Sequence, residues 1–386
     1  MERDLTLLAR LYGVTCRWQS DGVNFLLAAS AIFILSNGVD VSKDLLLIYN
    51  TNSADSVCVK DYYLAHRPMV SGANVLGIGC PAAEIVSRTD YRNTIRQPIL
   101  DWLEANPTKH PQYWVLFLDV PSRINAMTNG YHSPVDNSVS YELYSTMPGH
   151  PLVTAINMNG TNDCKGYIDK LEFIGTNYSP GEVVLHASAG GYGNTNFVMD
   201  GIRHGSPETG DNFAGHGHLV SSTTNALEAA GVLNSQIFFY DGLETVTNKV
   251  VYNLPHATGV SNVAGYISWG VHSSLGGNYA LNGVVAWKGN SGWWIIETVE
   301  SLNGMRGDLG HGNFIKWFSP DAFGGKNYSN TPVGAVCYTD EPGLGGISDA
   351  AIYFGAWARG EMFAEAAWES RKMTHFQAVG DPLVVK

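Results

Sequence analysis

His272, in the glycine- and serine-rich stretch VHSSLGG, and Cys337, at the end of the apolar run VGAVC, are the residues whose types could combine as base and nucleophile. Glu341, four positions further on, could orient the base. Hydrolysis through sulfur needs the thiolate, so the cysteine must be partly exposed with an imidazole or another cation in reach. The surroundings of both residues argue against that use. A single cysteine enclosed by Val333, Ala335 and Val336 is expected to be a small buried hydrophobe, and a histidine in a Gly/Ser loop is expected to be solvated. We therefore expect no catalytic residue. The alternative reading is a cysteine-type hydrolase with a displaced site around His272, Cys337 and Glu341.

Other motifs come close to a chemistry and miss it. His216 and His218 in GHGH, with His204 upstream, stand at i and i+2, which puts two imidazoles on one side of an extended strand. No third ligand follows at a zinc spacing, so no metal site is expected, and chelation is expected to leave the melting temperature unchanged. GHG at Gly310–Gly312 follows the polar MRGDLG and reads as the start of a helix. HASAGGYGNTN at His186–Asn196 lacks both the G-x-G-x-x-G spacing and a P-loop lysine. NMNGTNDCKGYID has Asn162 and Ile168 where a calcium loop needs Gly and Glu, and reads as a turn leading into a helix. No G-x-S-x-G elbow exists, so an α/β-hydrolase reading also fails, and with no nucleotide or metal motif no cofactor is expected.

The elements that would position these residues alternate. Leu45–Tyr49, Asn74–Ile78 and Tyr113–Leu118 are apolar runs of strand length separated by segments of helical period, the pattern of a mostly parallel sheet flanked by helices. Ser53 is placed to cap a first helix that Arg67-Pro68 ends, and Ser87 with Asp90 imitates a capping box. Pro98 predicts a bend or two abutting helices. Further strands are expected at Glu182–His186, Gln236–Tyr240, Val263–Trp269 and Val333–Cys337. Helices are expected at Asn162–Phe173, Ser222–Ala230, Trp293–Leu302, His311–Phe318 and Asp349–Trp368. Ala126–Pro151 reads as a long surface excursion.

The chain has 386 residues, 45% hydrophobic and 15% charged, enough for a packed core. A net charge of −12, with no Lys/Arg run to neutralise a phosphate backbone, makes nucleic acid and anionic membrane surfaces poor candidate partners, and no nucleic acid is expected. The five cysteines, Cys16, Cys58, Cys80, Cys164 and Cys337, form no CxxC pair. Val23–Ser36 is too short for a membrane span but has the length of a signal-peptide core. Residues 1–40 are thus expected to be a leader or poorly packed extension, and 41–386 a single α/β domain. Together with the abundance of Gly and Tyr, this points to an extracytoplasmic or secreted protein without an integral membrane span, free to associate with a cell surface or with its own copies.

Four segments carry a resemblance. DLLLIYNTNSADSVCVKD at Asp44–Asp61 is the first, and TDYRNTIRQPILDWLEANP with YWVLFLDVP, within Ser87–Pro121, is the second. The third is GYISWG at Gly265–Gly270, and the fourth joins VGAVCYTDEP at Val333–Pro342 to the closing VGDPL at Val379–Leu383. In order and spacing they resemble an uncharacterised bacterial family related to the gingipain-type, caspase-like cysteine peptidases. The resemblance implies a caspase-like α/β fold with long loop insertions. In the active peptidases one strand ends in His-Gly and the next in the nucleophilic cysteine. Here Trp269-Gly270 stands where His-Gly is expected, and GNSGWWIIETVES offers Glu297, Thr298 and Ser301 but no cysteine. The expectation is an exported caspase-like domain without peptidase activity, acting as a binding or structural protein. Its binding rim would comprise Trp269 and His272 after one strand and Asp340 and Glu341 after another.

Overall fold

A strand that is apolar on both sides is stable only where a sheet is covered twice. The run Leu45–Asn50 (β1), whose first four residues are fully enclosed, occupies such a place. The computed structural model describes residues 39–125, 133–135, 150–171, 174–177, 182–186, 194–200, 217–240, 250–252, 258–268, 271–272, 277–278, 285–289, 291–307 and 312–386. They all belong to one compact unit, Gly38–Lys386. Ten further strands join β1 in one sheet: Asn74–Ile78 (β2), Tyr113–Phe117 (β3), Leu152–Ile156 (β4), Asn196–Asp200 (β5), Ile237–Tyr240 (β6), Val250–Tyr252 (β7), Val263–Ser268 (β8), Ile295–Thr298 (β9), Gly334–Tyr338 (β10) and Phe376–Gly380 (β11). The spatial order is β7-β6-β5-β8-β9-β10-β11-β4-β3-β1-β2.

Neighbours run parallel throughout, except where β10 meets β11 from Gly334 opposite Gly380 to Tyr338 opposite Phe376. One antiparallel seam therefore divides the sheet into six parallel strands and five parallel strands pointing opposite ways. The α/β, mostly parallel architecture expected from the alternation is present. Two glycines make the seam possible: a Cβ on Gly334 would stand 2.3 Å from the Phe363 ring, and Gly380, at φ +142°, would put one 2.6 Å from the Val333 carbonyl.

Among the described residues the α-helices of eight residues or more are Ala54–His66 (α1), Gln97–Ala105 (α2), Gly160–Lys170 (α3), Gly217–Ala229 (α4), Ala350–Ala358 (α5) and Phe363–Ser370 (α6), and a short turn at Phe314–Trp317 falls within the expected His311–Phe318 helix. Helices α1 and α3 lie side by side, and α5 packs against both α4 and α6. Ser53 caps α1 by accepting the Ser56 N–H at 3.1 Å, and Arg67-Pro68 ends it, as expected. Ser87 accepts the Asp90 N–H at 3.0 Å, after which Tyr91–Arg96 winds as a π-helix directly into α2. Pro98 is the second residue of α2, and the change from π to α winding that it follows is where the expected abutment of two helices falls. The single stretch read as Asp349–Trp368 is two helices, α5 capped by the Asp349 carboxylate and α6 starting after Met362.

One expected helix is corrected. Trp293–Leu302 contains β9, a central strand buried on both faces. A short apolar run has no period that separates a buried strand from a buried helix, and the β-branched pair Ile295-Ile296 tips it toward the sheet. Strands β4, β5, β7 and β11 were not anticipated. Glu182–His186 is a strand, but it pairs with Val39–Asp40 and Ile174–Asn177 in a separate small sheet. The stretch Val23–Ser36 lies outside the described residues.

The C-terminal segment locks into the five-strand block. Asp381, fully buried, accepts the Tyr63 hydroxyl of α1 at 2.8 Å and the Leu383 N–H at 3.0 Å. The Asp381 N–H donates at 2.6 Å to the Tyr167 oxygen of α3, and that hydroxyl donates at 2.7 Å to the Val333 carbonyl before β10. Burial pushes the Asp381 carboxyl up, opposed by the Leu383 N–H and the nearby Arg67 guanidinium.

Candidate functional site

In a parallel block, loops leaving adjacent strand ends in opposite directions open a crevice at the carboxyl rim. Each block of this sheet has such a switch point. In the six-strand block it falls between β5 and β8, where Asp200 is the register partner of Ser268 and accepts the Tyr266 hydroxyl at 2.9 Å. The binding rim expected from the sequence would lie at this edge. Trp269, His204, His216 and the side chains of His218 and His272 lie outside the described residues. The backbone at His272 pairs with Gly277 in a two-stranded ribbon. Asp340 and Glu341 follow β10 at the same edge, and each turns back on its own loop: Asp340 accepts the Glu341 N–H and Glu341 accepts the Gly343 N–H, both at 2.8 Å.

Cys337 is completely enclosed in β10, its thiol directed at the Gln377 carbonyl of β11 at 3.7 Å. The Gly304 backbone presses on it so closely that a Cβ there would meet the sulfur at 3.2 Å. This closure follows from how β9 and β10 part. They pair only at Ile295–Gly334 and Ile296–Ala335, and beyond that point the chain after β9 fills the edge of β10. Asn303 accepts the Tyr338 N–H at 2.6 Å, and the Gly304 N–H donates to the Tyr338 carbonyl at 2.9 Å.

Beyond the end of β9 stands a buried polar network. The Thr298 hydroxyl donates to Glu300 at 2.6 Å and accepts from Asn303 at 2.8 Å, and Glu300 also takes the Gly312 N–H at 2.9 Å. Glu297 is fully enclosed, with one oxygen 3.4 Å from the Tyr338 hydroxyl and the other without a hydrogen-bond partner among the described residues. Burial pushes its carboxyl up to about 8, helped by Asp349 and opposed by Lys372 and Tyr338.

The second switch point, between β1 and β3 in the five-strand block, holds a cavity of about 160 Å³. Asp55 of α1, Glu84 after β2, Asp119 and Ser122 after β3, and Asn157 after β4 line it, with Arg306 as a wall from the chain that follows β9. The turn after β1 builds one side. Asn50 donates at 2.8 Å to the carbonyl of Asp119, which sits at φ +61°, and Ser53 donates at 2.5 Å to the Asp119 carboxylate while capping α1. Ser53→Ala removes both bonds and is expected to destabilise by about 2 kcal/mol in denaturant titration. An unchanged midpoint would show that Ser53 positions nothing.

Arg306 is held by its surroundings. Its guanidinium donates to the Met158 carbonyl at 3.0 Å and to the Asn157 carbonyl, its N–H donates to Glu84 at 2.9 Å, and it lies 5.6 Å over the Phe314 ring. Burial lowers its affinity for its proton. Cys164 of α3, also enclosed, is pushed up to about 12 by burial, which keeps it a thiol. Nothing in the sequence patterns assigned a role to Asp55, Glu84, Asp119, Asn157 or Arg306. The available signal was that the apolar run Tyr113–Leu118 is followed by Asp119 and Leu152–Ile156 by Asn157. No protein-family model, curated protein or solved structure matches this chain.

Proposed function

We propose that this chain is an exported, caspase-like binding protein without peptidase activity, and that its ligand enters the cleft at the β1/β3 switch point. The enclosure of Cys337 carries the reading: a nucleophile must reach both a base and a substrate, and this thiol faces a backbone carbonyl inside the sheet. The other buried thiols support it. Cys80 and Cys164 are each pushed up to about 12, chiefly by burial, so a negligible fraction is thiolate at neutral pH.

Purified protein is expected to leave Arg-, Lys- and Asp-directed peptide substrates intact. Peptide mapping after iodoacetamide at pH 7 is expected to find Cys80, Cys164 and Cys337 unmodified. Rapid modification of Cys337, with a hydrolysis that Cys337→Ala or His272→Ala abolishes, would replace this reading by the displaced-site hydrolase. Export is checked separately: the secreted protein is expected to begin between Asn37 and Val41, and an intact Met1 in the mature chain removes the leader.

A further inference from the structure

We propose that the cleft at the β1/β3 switch point binds the primary ammonium group of a small organic amine. The inference deepens the binding reading above and rests on it. The ends of four strands contribute one acceptor residue each: Asp55 after β1, Glu84 after β2, Asp119 after β3 and Asn157 after β4. Each carboxylate commits one oxygen to the fold. Asp55 Oδ1 takes the Thr161 hydroxyl at 2.8 Å, Asp119 Oδ2 takes Ser53, and Glu84 Oε1 takes the Arg306 N–H and lies 3.3 Å from Arg123 Nε. The second oxygen of each engages no other group among the described residues. Two lining residues that are more than nine-tenths buried, Asn157 and Ser122, also hold a side-chain oxygen without a hydrogen-bond partner among the described residues.

Charge sets the sign of the ligand. Three carboxylates line the cavity with the Arg306 guanidinium, whose terminal nitrogens already donate to the Met158 and Asn157 carbonyls, and Arg123 pairs with Glu84, so one negative charge is left over and an anion meets net repulsion. Spacing then separates a metal ion from an organic cation. Among the described residues no three His, Cys, Asp or Glu side chains are grouped to hold a metal ion. Acceptors spread around a cavity of about 160 Å³ suit a cation that carries its own N–H donors and a few carbons behind them. An ammonium group has three donors to place among these acceptors, and bonds between ionised partners are about twice as strong as neutral ones.

Calorimetric titration of the purified chain with n-butylammonium chloride at pH 7 and low salt tests this. Saturable binding is expected, weakened about tenfold or more when butyltrimethylammonium, of equal charge but without N–H donors, replaces it. Asp55→Asn and Glu84→Gln are each expected to weaken n-butylammonium binding by about tenfold. Asp55 is exposed and its asparagine keeps an acceptor for Thr161, so a thermal melt is expected to show that variant folded. Equal binding of the two amines, binding of calcium chloride in place of either, or no saturable heat overturns the assignment. Those outcomes leave the iodoacetamide and hydrolysis results untouched, so the ammonium assignment and the binding reading fail separately.

Discussion

Glu297→Gln is expected to make the protein more stable than the parent at pH 8 and to leave the two alike near pH 4. The carboxyl is fully enclosed, one of its oxygens has no hydrogen-bond partner among the described residues, and burial raises it from its ordinary 4.5 to about 8. A raised acid favours the folded state only while both states hold the proton. As pH rises from about 4.5 the unfolded chain ionises while the folded chain does not, so stability falls until about 8 and then levels off. A shift of that size corresponds to up to about 5 kcal/mol. Glutamine keeps the shape without the proton. The gap between variant and parent should open through this window to on the order of 5 °C in melting temperature. Asp381, also raised, bends the parent's own profile the same way, so only the difference between the two proteins reports Glu297. A gap that does not change between pH 4.5 and 8 would show that Glu297 is already ionised in the folded chain.

Asp381→Ala is expected to cost about 3–5 kcal/mol, because it strands buried groups of α1 and of the C-terminal segment. The Tyr63 hydroxyl and the Leu383 N–H lose their acceptor, and Arg67, itself buried, loses the opposing charge that acts on it most strongly. Tyr63→Phe removes one donor and leaves the carboxylate its other bond, so about 1 kcal/mol is expected. In urea titrations the double variant should fall short of the sum, since the two side chains share one bond. A loss below about 1 kcal/mol for Asp381→Ala would mean that the closing VGDPL segment is held by Leu383 and Val384 packing alone.

Local features settled much of this protein before any tertiary contact was known. The alternation of apolar runs with helical segments determined the α/β class, because a strand without a polar face must be covered twice. Ser53, Ser87 and Arg67-Pro68 determined where two helical segments begin and one stops, since caps act within a turn. The apolar neighbours of Cys337 announced its burial, and the turn reading of NMNGTNDCKGYID led correctly into α3, which starts at Gly160. Tertiary structure decided the rest. Whether WWIIET is helix or strand depends on its having β8 and β10 beside it, which no period in a short apolar run encodes. The reversal between β10 and β11 depends on two glycines that admit Phe363 and the Val333 carbonyl, partners far away in the chain. The cleft gathers Asp55, Glu84, Asp119, Asn157 and Arg306 from five separate stretches. Parallel strands end side by side only after long crossovers, so the spacing of these residues in the sequence carried no trace of their proximity.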